Sequence, residues 1–288
     1  MLTDKSPSFY IGIVFIVTVS IWFVVVSFRG RSFELWFFEV GQGDSIFIQT
    51  SGRKQILIDG GPDTSVLREL SKAMPFWDRS IDLVVATHPH ADHVGGIVEV
   101  LRRYQVGELI MNPTDYTSPV LDELARVIEE RGVAVRGFGL GDRIEIGELY
   151  LRAIWPPLNQ DRRVAVWSDD VNQHAIALDL EYNDFTALLM SDVELGESVP
   201  DNLQQELRDV DVLKVPHQGS KYGLRKEALE VIKPEVAVIT VGKNKFGHPA
   251  DAIIEMLKDH QVLVKRTDEN GTIQIQHPGS GNYRVISK

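Results

Sequence analysis

Four potential metal ligands stand within six consecutive residues, and this cluster constrains the fold more than any other feature of the chain. It reads His88-Pro-His-Ala-Asp-His93 and comes directly after the segment Ile81 to Thr87, which is apolar except for Asp82 and Thr87. Such a segment predicts a strand buried on both faces. A loop at its end would direct three imidazoles and a carboxylate into one cleft, and a helix is predicted from Ile97 to Tyr104. Ionisable groups rarely cluster in this way without a function.

The donor types of this cluster favour a borderline divalent metal such as zinc. Neutral imidazoles and carboxylates are available for coordination at neutral pH. The chain has no cysteine, which excludes thiolate metal sites, disulfides and cysteine nucleophiles. The cluster therefore predicts a metal site built from nitrogen and oxygen ligands.

A second constraint lies near the N-terminus, where residues 9–28 include no charged side chain. A helix of this length spans roughly 30 Å, the hydrocarbon thickness of a bilayer. A cleaved signal peptide is the alternative, but its apolar core usually runs about 7–15 residues. We therefore expect a flank at 1–8, a single-pass membrane anchor at 9–28 and a folded domain at 33–288. The basic residues around the anchor leave open which side of the membrane the domain faces.

The remainder of the chain reads as one mixed α/β domain. Short apolar segments separated by glycine-containing turns predict strands, and segments with helical periodicity alternate with them. Asn183-Asp184, between two apolar segments, predicts a β-hairpin.

Six segments resemble the metallo-β-lactamase superfamily, whose signature is H-x-H-x-D-H, and more specifically the hydrolase-type domain of the ComEC-type competence proteins of DNA uptake. They follow the family order over roughly residues 33–277 and are Phe38-Glu-Val-Gly-Gln-Gly-Asp44-Ser, Ile58-Asp-Gly-Gly61, Thr87 to Gly96, Leu189-Met-Ser-Asp-Val-Glu194, Leu213-Lys-Val-Pro-His-Gln-Gly-Ser220 and Gly247-His-Pro249. The resemblance implies an α/β fold, a four-layer αβ/βα sandwich, here preceded by one transmembrane helix. The metal site would lie at the strand ends where the two halves meet.

The resemblance also implies two divalent metal ions, zinc or manganese, and a set of ligands for them. One ion matches His88, His90 and His174, the other matches Asp92, His93 and His217, and the carboxylate of Asp192 bridges both. For His174 a water-exposed position at the entry to the hairpin is an equal alternative.

Three positions depart from the family pattern. The family often has Asp where His90 stands, although His is the usual residue in the wider superfamily. It commonly has a second histidine at Gln218 and a glycine at Ser191. These changes leave the predicted ligands intact.

His248 and Asp59 have two interpretations each. His248 is either a ligand of the second ion or a general acid for the leaving group, and the acid role is favoured because His217 already fills the ligand position. With Asp92, it is a predicted catalytic residue. Asp59 either orients a ligand histidine from behind or forms an Asx-turn with Gly60.

The predicted reaction is metal-assisted hydrolysis. Two ions that share Asp192 also share a water, and their combined charge lowers its pKa toward neutrality to give a metal-bridged hydroxide. The ligands alone do not choose between phosphodiester, lactone, thioester and β-lactam substrates.

The charge distribution favours an anionic substrate. The formal net charge of −11 argues against a nucleic-acid coat protein, but from Lys214 to His248 basic residues outnumber acidic ones by seven to three. A basic rim steers phosphate-bearing molecules, and Lys221, Lys243 and Lys245 are the predicted substrate contacts.

The leading hypothesis is a membrane-anchored, nuclease-like phosphodiesterase with single-stranded DNA as a candidate substrate. The alternatives are a phosphocholine esterase of the cell envelope, a lactone or β-lactam hydrolase, and a non-catalytic DNA-binding accessory of DNA uptake. With one predicted span, a transport role would require a membrane-channel partner.

Overall fold

Two β-sheets, one of eight strands and one of seven, form the centre of the computed structural model. The structure describes residues 7–28, 32–113, 115–159, 170–196 and 200–287. Most of the predicted flank at 1–8 lies outside these ranges, as do residues 29–31 and 160–169.

The described strands and helices follow one another in the order in which they are numbered. The strands are β1 (Phe33–Phe37), β2 (Ile46–Gln49), β3 (Gln55–Ile58), β4 (Ser80–Ala86), β5 (Gln105–Met111), β6 (Val135–Arg136), β7 (Arg143–Ile146), β8 (Leu149–Trp155), β9 (Ala177–Tyr182), β10 (Phe185–Leu189), β11 (Val212–Lys214), β12 (Val236–Ile239), β13 (Leu263–Arg266), β14 (Ile273–His277) and β15 (Arg284–Ser287). The helices are α1 (Pro7–Phe28), α2 (Ser65–Ala73), α3 (Ala91–Arg103), α4 (Pro119–Arg131), α5 (Asp201–Glu206), α6 (Lys226–Ile232), α7 (Asp251–Asp259) and α8 (Thr267–Asn270), with 3₁₀ turns at Val171–His174 and Pro216–Gly219.

The two sheets pack face to face, and helices cover their outer faces. The first sheet has the order β15-β14-β1-β2-β3-β4-β5-β6 and the second β13-β12-β11-β10-β9-β8-β7. Because side chains alternate along a strand, Leu35 of β1 joins the apolar cluster between the sheets, and Trp36 joins the cluster under α2, α3 and α4. A third cluster lies between the second sheet and α5, α6 and α7. Each large apolar side chain buried here contributes about 1.5–3 kcal/mol.

Strand direction determines where the predicted ligands meet. Strand β4 runs parallel to β3 and β5, and in the second sheet β10, β11 and β12 are parallel. Asp59, His88, Asp192 and His217 all follow the carboxyl ends of such strands. The parallel pairing therefore collects side chains that are distant in sequence at one edge of each sheet.

The predicted start of α3 at Ile97 is wrong. The helix begins at Ala91, with His90 at its N-cap, so Asp92 and His93 lie in its first turn instead of in a loop. The glycines just before Ile97 lie inside the helix and allow close packing, because a Cβ at Gly96 would lie 2.0 Å from the carbonyl oxygen of Gly60. The short helix–loop distance requires glycine there.

The predicted hairpin is confirmed, since β9 and β10 pair antiparallel across Asn183-Asp184. Strand β15, which pairs antiparallel with β14, was not predicted. The helix α1 covers the predicted anchor, and its side chains are described for residues 9–22, all exposed. Among the described residues, no helix meets the combined length and apolarity needed to cross a bilayer.

Candidate metal centre

Three predicted ligands converge on one carboxylate oxygen. Oδ2 of Asp192 lies 3.3 Å from Nε2 of His93, 3.9 Å from Nε2 of His88 and 3.7 Å from Nε2 of His217. Ligands on one tetrahedral ion with bonds of about 2.0–2.2 Å are about 3.3–3.6 Å apart. Among the described residues, His88, His93 and Asp192 form a group whose atoms are spaced for holding a metal ion.

Asp59 holds this arrangement from behind. Its Oδ2 accepts a hydrogen bond from Nδ1 of His93 at 2.8 Å, and its two oxygens accept from the backbone N and the hydroxyl of Thr87 at 2.8 and 2.7 Å. The predicted contact of Asp59 with a histidine of the cluster is confirmed. The contact directs Nε2 of His93 toward Asp192.

A hydrogen bond between two hydroxyls joins the two sheets at the centre. Oγ of Ser191, which precedes Asp192, lies 2.7 Å from Oγ1 of Thr87, which precedes His88. Ser191 has φ of +48°, a left-handed conformation that explains why the family prefers glycine here. The serine hydroxyl contributes a bond that glycine cannot make.

His217 is oriented by Glu194, a residue to which no role had been assigned from the sequence. Its Nδ1 lies 2.9 Å from Oε1 of Glu194, which also accepts from the hydroxyl of Ser220 at 2.8 Å. His217 has φ of +46°, which turns its ring back toward Asp192. The sequence signal for Glu194 is its position two residues after Asp192.

Asp92 and His90 lie at the more exposed side of the centre. Oδ2 of Asp92 lies 3.7 Å from Nε2 of His93 and accepts from Nε2 of Gln218 at 3.2 Å. The ring of His90 lies 4.9 Å from that of His88 and 5.3 Å from that of Tyr116. Gln218, where the family has histidine, therefore contacts a predicted ligand.

The electrostatics favour a bound cation. Burial, and then the neighbouring His93, hold the pKa of His88 well below its usual value, so its ring is neutral. Burial raises the pKa of Asp192, but His93, His88 and Lys214 outweigh it and hold that pKa well below the usual value. For His93, the attraction of Asp192 and Asp59 outweighs burial and raises its pKa. The same field that favours a proton there favours a divalent cation.

The donor set fits a metal. Nε2 of His88 and Nε2 of His93 are buried, and neither forms a regular hydrogen bond with the residues that the structure describes. Such an unmade bond normally costs about 1–3 kcal/mol, so buried polar atoms without partners are rare. Coordination by a metal ion would satisfy both nitrogens.

The other predicted site residues lie around this centre. The ring of His248 lies 5.4 Å from that of His217, and burial together with His217 lowers the pKa of His248. His174 ends a 3₁₀ turn, and burial lowers its pKa. Lys221, Lys243 and Lys245 are exposed. The backbone N of Ile176 donates to the carbonyl oxygen of Thr87 at 3.0 Å, so the segment after His174 runs beside the strand end that carries His88.

Lys214 does not belong to the basic rim in which the charge count had placed it. Its side chain is fully buried and forms an ion pair with Asp44, which is also buried. The apolar neighbours Leu213 and Val215 indicated a buried strand, and they are the signal that could have corrected the prediction.

Fold and site together define a metallo-hydrolase with candidate ligands from both halves of an αβ/βα sandwich. The family model described as the metallo-β-lactamase superfamily matches residues 38–243, more than half of the chain, and the chain belongs to that superfamily.

Two curated relatives cover most of the chain. ComE operon protein 3 of Bacillus subtilis (strain 168) is 28% identical over 263 residues, which cover 85% of this chain and 33% of that protein. Recombination protein 2 of Haemophilus influenzae is 25% identical over 263 residues, which cover 88% of this chain and 30% of that protein. The chain thus spans about a third of the length of these relatives. The predicted resemblance to ComEC-type domains is confirmed.

A solved structure shows the same fold. The metallo-β-lactamase-fold protein YhfI from Bacillus subtilis superposes with a TM-score of 0.58 at 12% identity, and the match covers 84% of this chain and 99% of that one. At this identity the likeness concerns the fold alone.

Proposed function

We propose that this chain is a membrane-anchored, metal-dependent hydrolase of phosphodiester bonds, with single-stranded DNA as its substrate. The observation that carries the proposal is the approach of His88, His93 and His217 to the same oxygen of Asp192. Side chains from both halves meet there within 3.3–3.9 Å, close to the spacing of ligands around one ion.

Seven side chains would hold two divalent ions, which we propose to be zinc. They are His88, His90 and His174 for one ion, Asp92, His93 and His217 for the other, and Asp192 for both. When bound, such ions supply Lewis acidity, which lowers the pKa of a water and offsets charge on a phosphate.

The protein's own groups prepare this site for the reaction. Asp59 and Glu194 accept from Nδ1 of His93 and His217, which leaves Nε2 of each ring facing the centre and makes it more basic. His248 stands beside His217 and is our candidate for the group that meets the leaving oxygen. Because its pKa is lowered, its ring is neutral near pH 7 and would donate a hydrogen bond instead of arriving protonated.

Exposed aromatic rings favour a substrate with unpaired bases. Phe246 is 64% exposed, and its ring lies 5.8 Å from that of His248. On the other side of the centre, Tyr116 is partly exposed beside His90. Bases of single strands stack on such rings, and lysines such as Lys245 and Lys221 attract the phosphates between them. The name Recombination protein 2 associates one relative with recombination, which is a process of DNA.

The anchor is proposed at residues 9–28, which carry no charge.

The test combines metal analysis with a substrate panel on the full chain in detergent. We expect about two zinc or manganese ions per chain, and Asp192→Ala should lose most of them, whereas Asp63→Ala, an exposed residue outside the site, should lose none. The panel contains bis(p-nitrophenyl) phosphate, single-stranded DNA, a lactone and nitrocefin. We expect turnover of the first two.

Several results would reject the proposal. Turnover of only the lactone or nitrocefin would reject phosphodiester hydrolysis, and DNA binding without cleavage in a metal-replete sample would indicate the accessory module.

The triple variant Lys221→Gln/Lys243→Gln/Lys245→Gln should raise KM for DNA much more than KM for the small diester, because only a long polyanion reaches the rim.

A further inference from the structure

One lysine lies completely buried behind the candidate metal centre. Lys214 is the last residue of β11 and has an exposed fraction of 0%. A buried ammonium costs several kcal/mol unless it is paired and hydrogen-bonded. The partners of Lys214 therefore indicate what the charge does there.

Lys214 contacts three groups, and two of them belong to Asp192 and to Ser191, the residue that precedes it. Its Nζ forms an ion pair with Asp44, donates to the carbonyl oxygen of Ser191 at 2.9 Å and lies 3.9 Å from Oδ1 of Asp192. The histidines lie on the other side of Asp192, around Oδ2. The ammonium thus faces one oxygen of this carboxylate, and the histidines face the other.

Asp44 is itself held firmly. Its Oδ1 accepts from the hydroxyl of Thr240 at 2.5 Å, its backbone N donates to the carbonyl oxygen of Asp92 at 3.3 Å, and its carbonyl oxygen accepts from the backbone N of Gly61 at 2.8 Å. Asp44 belongs to the β1–β2 loop of the first sheet, whereas Lys214 belongs to the second sheet. The ion pair therefore crosses between the two halves.

We propose that Asp44 and Lys214 form a clamp, meaning this ion pair, that positions Asp192 against the histidines. The proposal rests on the proposed metal centre. His88 and His93 come from the first half, and Asp192 and His217 from the second, so the 3.3–3.9 Å spacing depends on how the halves are held together.

The carbonyl of Ser191 shows how the clamp acts on the ligands. It accepts from Nζ of Lys214 and also from the backbone N of His217, each at 2.9 Å. Ser191 has the strained φ of +48° that aims Asp192. The carbonyl oxygen of Ser191 therefore connects Lys214 both to the turn that precedes Asp192 and to the backbone of His217.

The direction of the change in metal affinity distinguishes a positioning role of Lys214 from a purely electrostatic one. A cation 3.9 Å from Asp192 repels a metal ion, so removal of a purely electrostatic Lys214 would tighten metal binding. Removal of both charges of the clamp leaves the net charge near the centre unchanged, so a purely electrostatic pair would leave metal affinity close to that of the wild type. If the clamp positions the ligands, its removal loosens metal binding.

The experiment measures zinc affinity of the full chain by competition with a chromophoric chelator, and unfolding midpoints in parallel. Lys214→Met alone leaves Asp44 buried and unpaired, which destabilises the fold. Asp44→Asn/Lys214→Met removes both charges and should restore a midpoint close to that of the wild type. We expect this double variant to bind zinc about 10–100-fold more weakly, the usual range when a ligand loses its support. Lys258→Met, at an exposed lysine of α7 that has no role in the site, is the matched control.

A double variant that binds zinc as tightly as the wild type, or more tightly, overturns the clamp. Absence of zinc binding by the wild type instead rejects the metal centre, and the clamp with it. Should the double variant not fold, Thr240→Val removes the hydroxyl that holds Asp44 and keeps both charges. We expect weaker zinc binding for Thr240→Val than for the wild type, and unchanged affinity would overturn the clamp.

Discussion

Asp59 is the single residue that most directly orients His93. It is buried, has φ of +58° and accepts three hydrogen bonds, one from the His93 ring and two from Thr87. The same carboxylate therefore holds the residue before His88 and the ring of His93. A change at Asp59 should disturb both histidines together.

Replacing this carboxylate should weaken metal binding without abolishing it. We expect Asp59→Asn to lower zinc affinity about 10–100-fold, because the amide is a weaker partner for Nδ1 and leaves Nε2 less basic. Chelator competition measures the affinity. The matched control is Asp63→Asn, which changes an exposed aspartate on the same loop. Equal affinities of both variants would show that Asp59 has no role in metal binding.

The sequence predicted candidate ligands where metal-binding residue types stand close together in one segment. It did not predict the roles of residues that depend on burial and on contacts with distant parts of the chain. Close spacing in one segment revealed the histidines from His88 to His93, and the resemblance supplied Asp192 and His217. Lys214 was counted with the surface lysines because the charge count did not consider the apolar neighbours that indicate a buried strand. Asp44 and Glu194 received no role for the same reason, since their contacts are with residues far along the chain.

At the scale of elements, α2 is tied to the sheet by a buried carboxylate. The side chain of Glu69 is 1% exposed and accepts from Nζ of Lys72 at 2.7 Å, Nε of Arg68 at 2.8 Å and Oγ1 of Thr272 at 2.8 Å. Burial raises the pKa of Glu69, but these hydrogen bonds outweigh it and lower the pKa below its ordinary value.

The sign of this shift predicts a pH-dependent contribution to stability. A carboxyl with a lowered folded pKa stabilises the fold above its unfolded pKa, and this contribution is lost as the pH falls through the folded pKa. Glu69→Gln should therefore lower the free energy of unfolding by about 2 kcal/mol at pH 7, and by less below about pH 4.5. Denaturant titrations of metal-stripped protein measure the difference, with the exposed Glu129→Gln as control. A difference that grows toward low pH would contradict the pKa assignment.

Helices and strands could be predicted where the hydrophobic periodicity and the turn residues give a clear pattern. The apolar segment of β4 and the hairpin of β9 and β10 have clear patterns, and both are present. The start of α3 was misplaced because its glycines serve packing against Gly60, a tertiary contact that no local pattern shows. Strand β15 has two half-buried residues, Val285 and Ile286, between exposed ends, so its sequence shows no strand periodicity and its pairing with β14 defines it.

At the scale of the whole molecule, the strand directions place the entry of the chain from the proposed anchor and the candidate metal centre at opposite ends of the strands. Strands β1 and β3 are both antiparallel to β2, and β4 is parallel to β3, so β1 and β4 begin at the same edge of the first sheet. The chain that follows the proposed anchor enters the fold at this edge through Phe33. Phe76 and Trp77, which are 79% and 69% exposed, stand before β4 at the same edge. The candidate ligand His88 follows the other end of β4, and the candidate metal centre lies there.

This arrangement predicts that the metal centre faces away from the membrane. Aromatic side chains favour the headgroup region of a bilayer, so Phe76 and Trp77 should contact lipid when the anchor is inserted. The chain has no cysteine, so Trp77→Cys and Phe246→Cys can each carry a single fluorescent label. In liposomes that contain brominated lipid, we expect quenching of the label at position 77 and little at position 246, beside the centre. Stronger quenching at position 246 would mean that the centre faces the bilayer, where a lipid phosphate would be a nearer substrate than DNA.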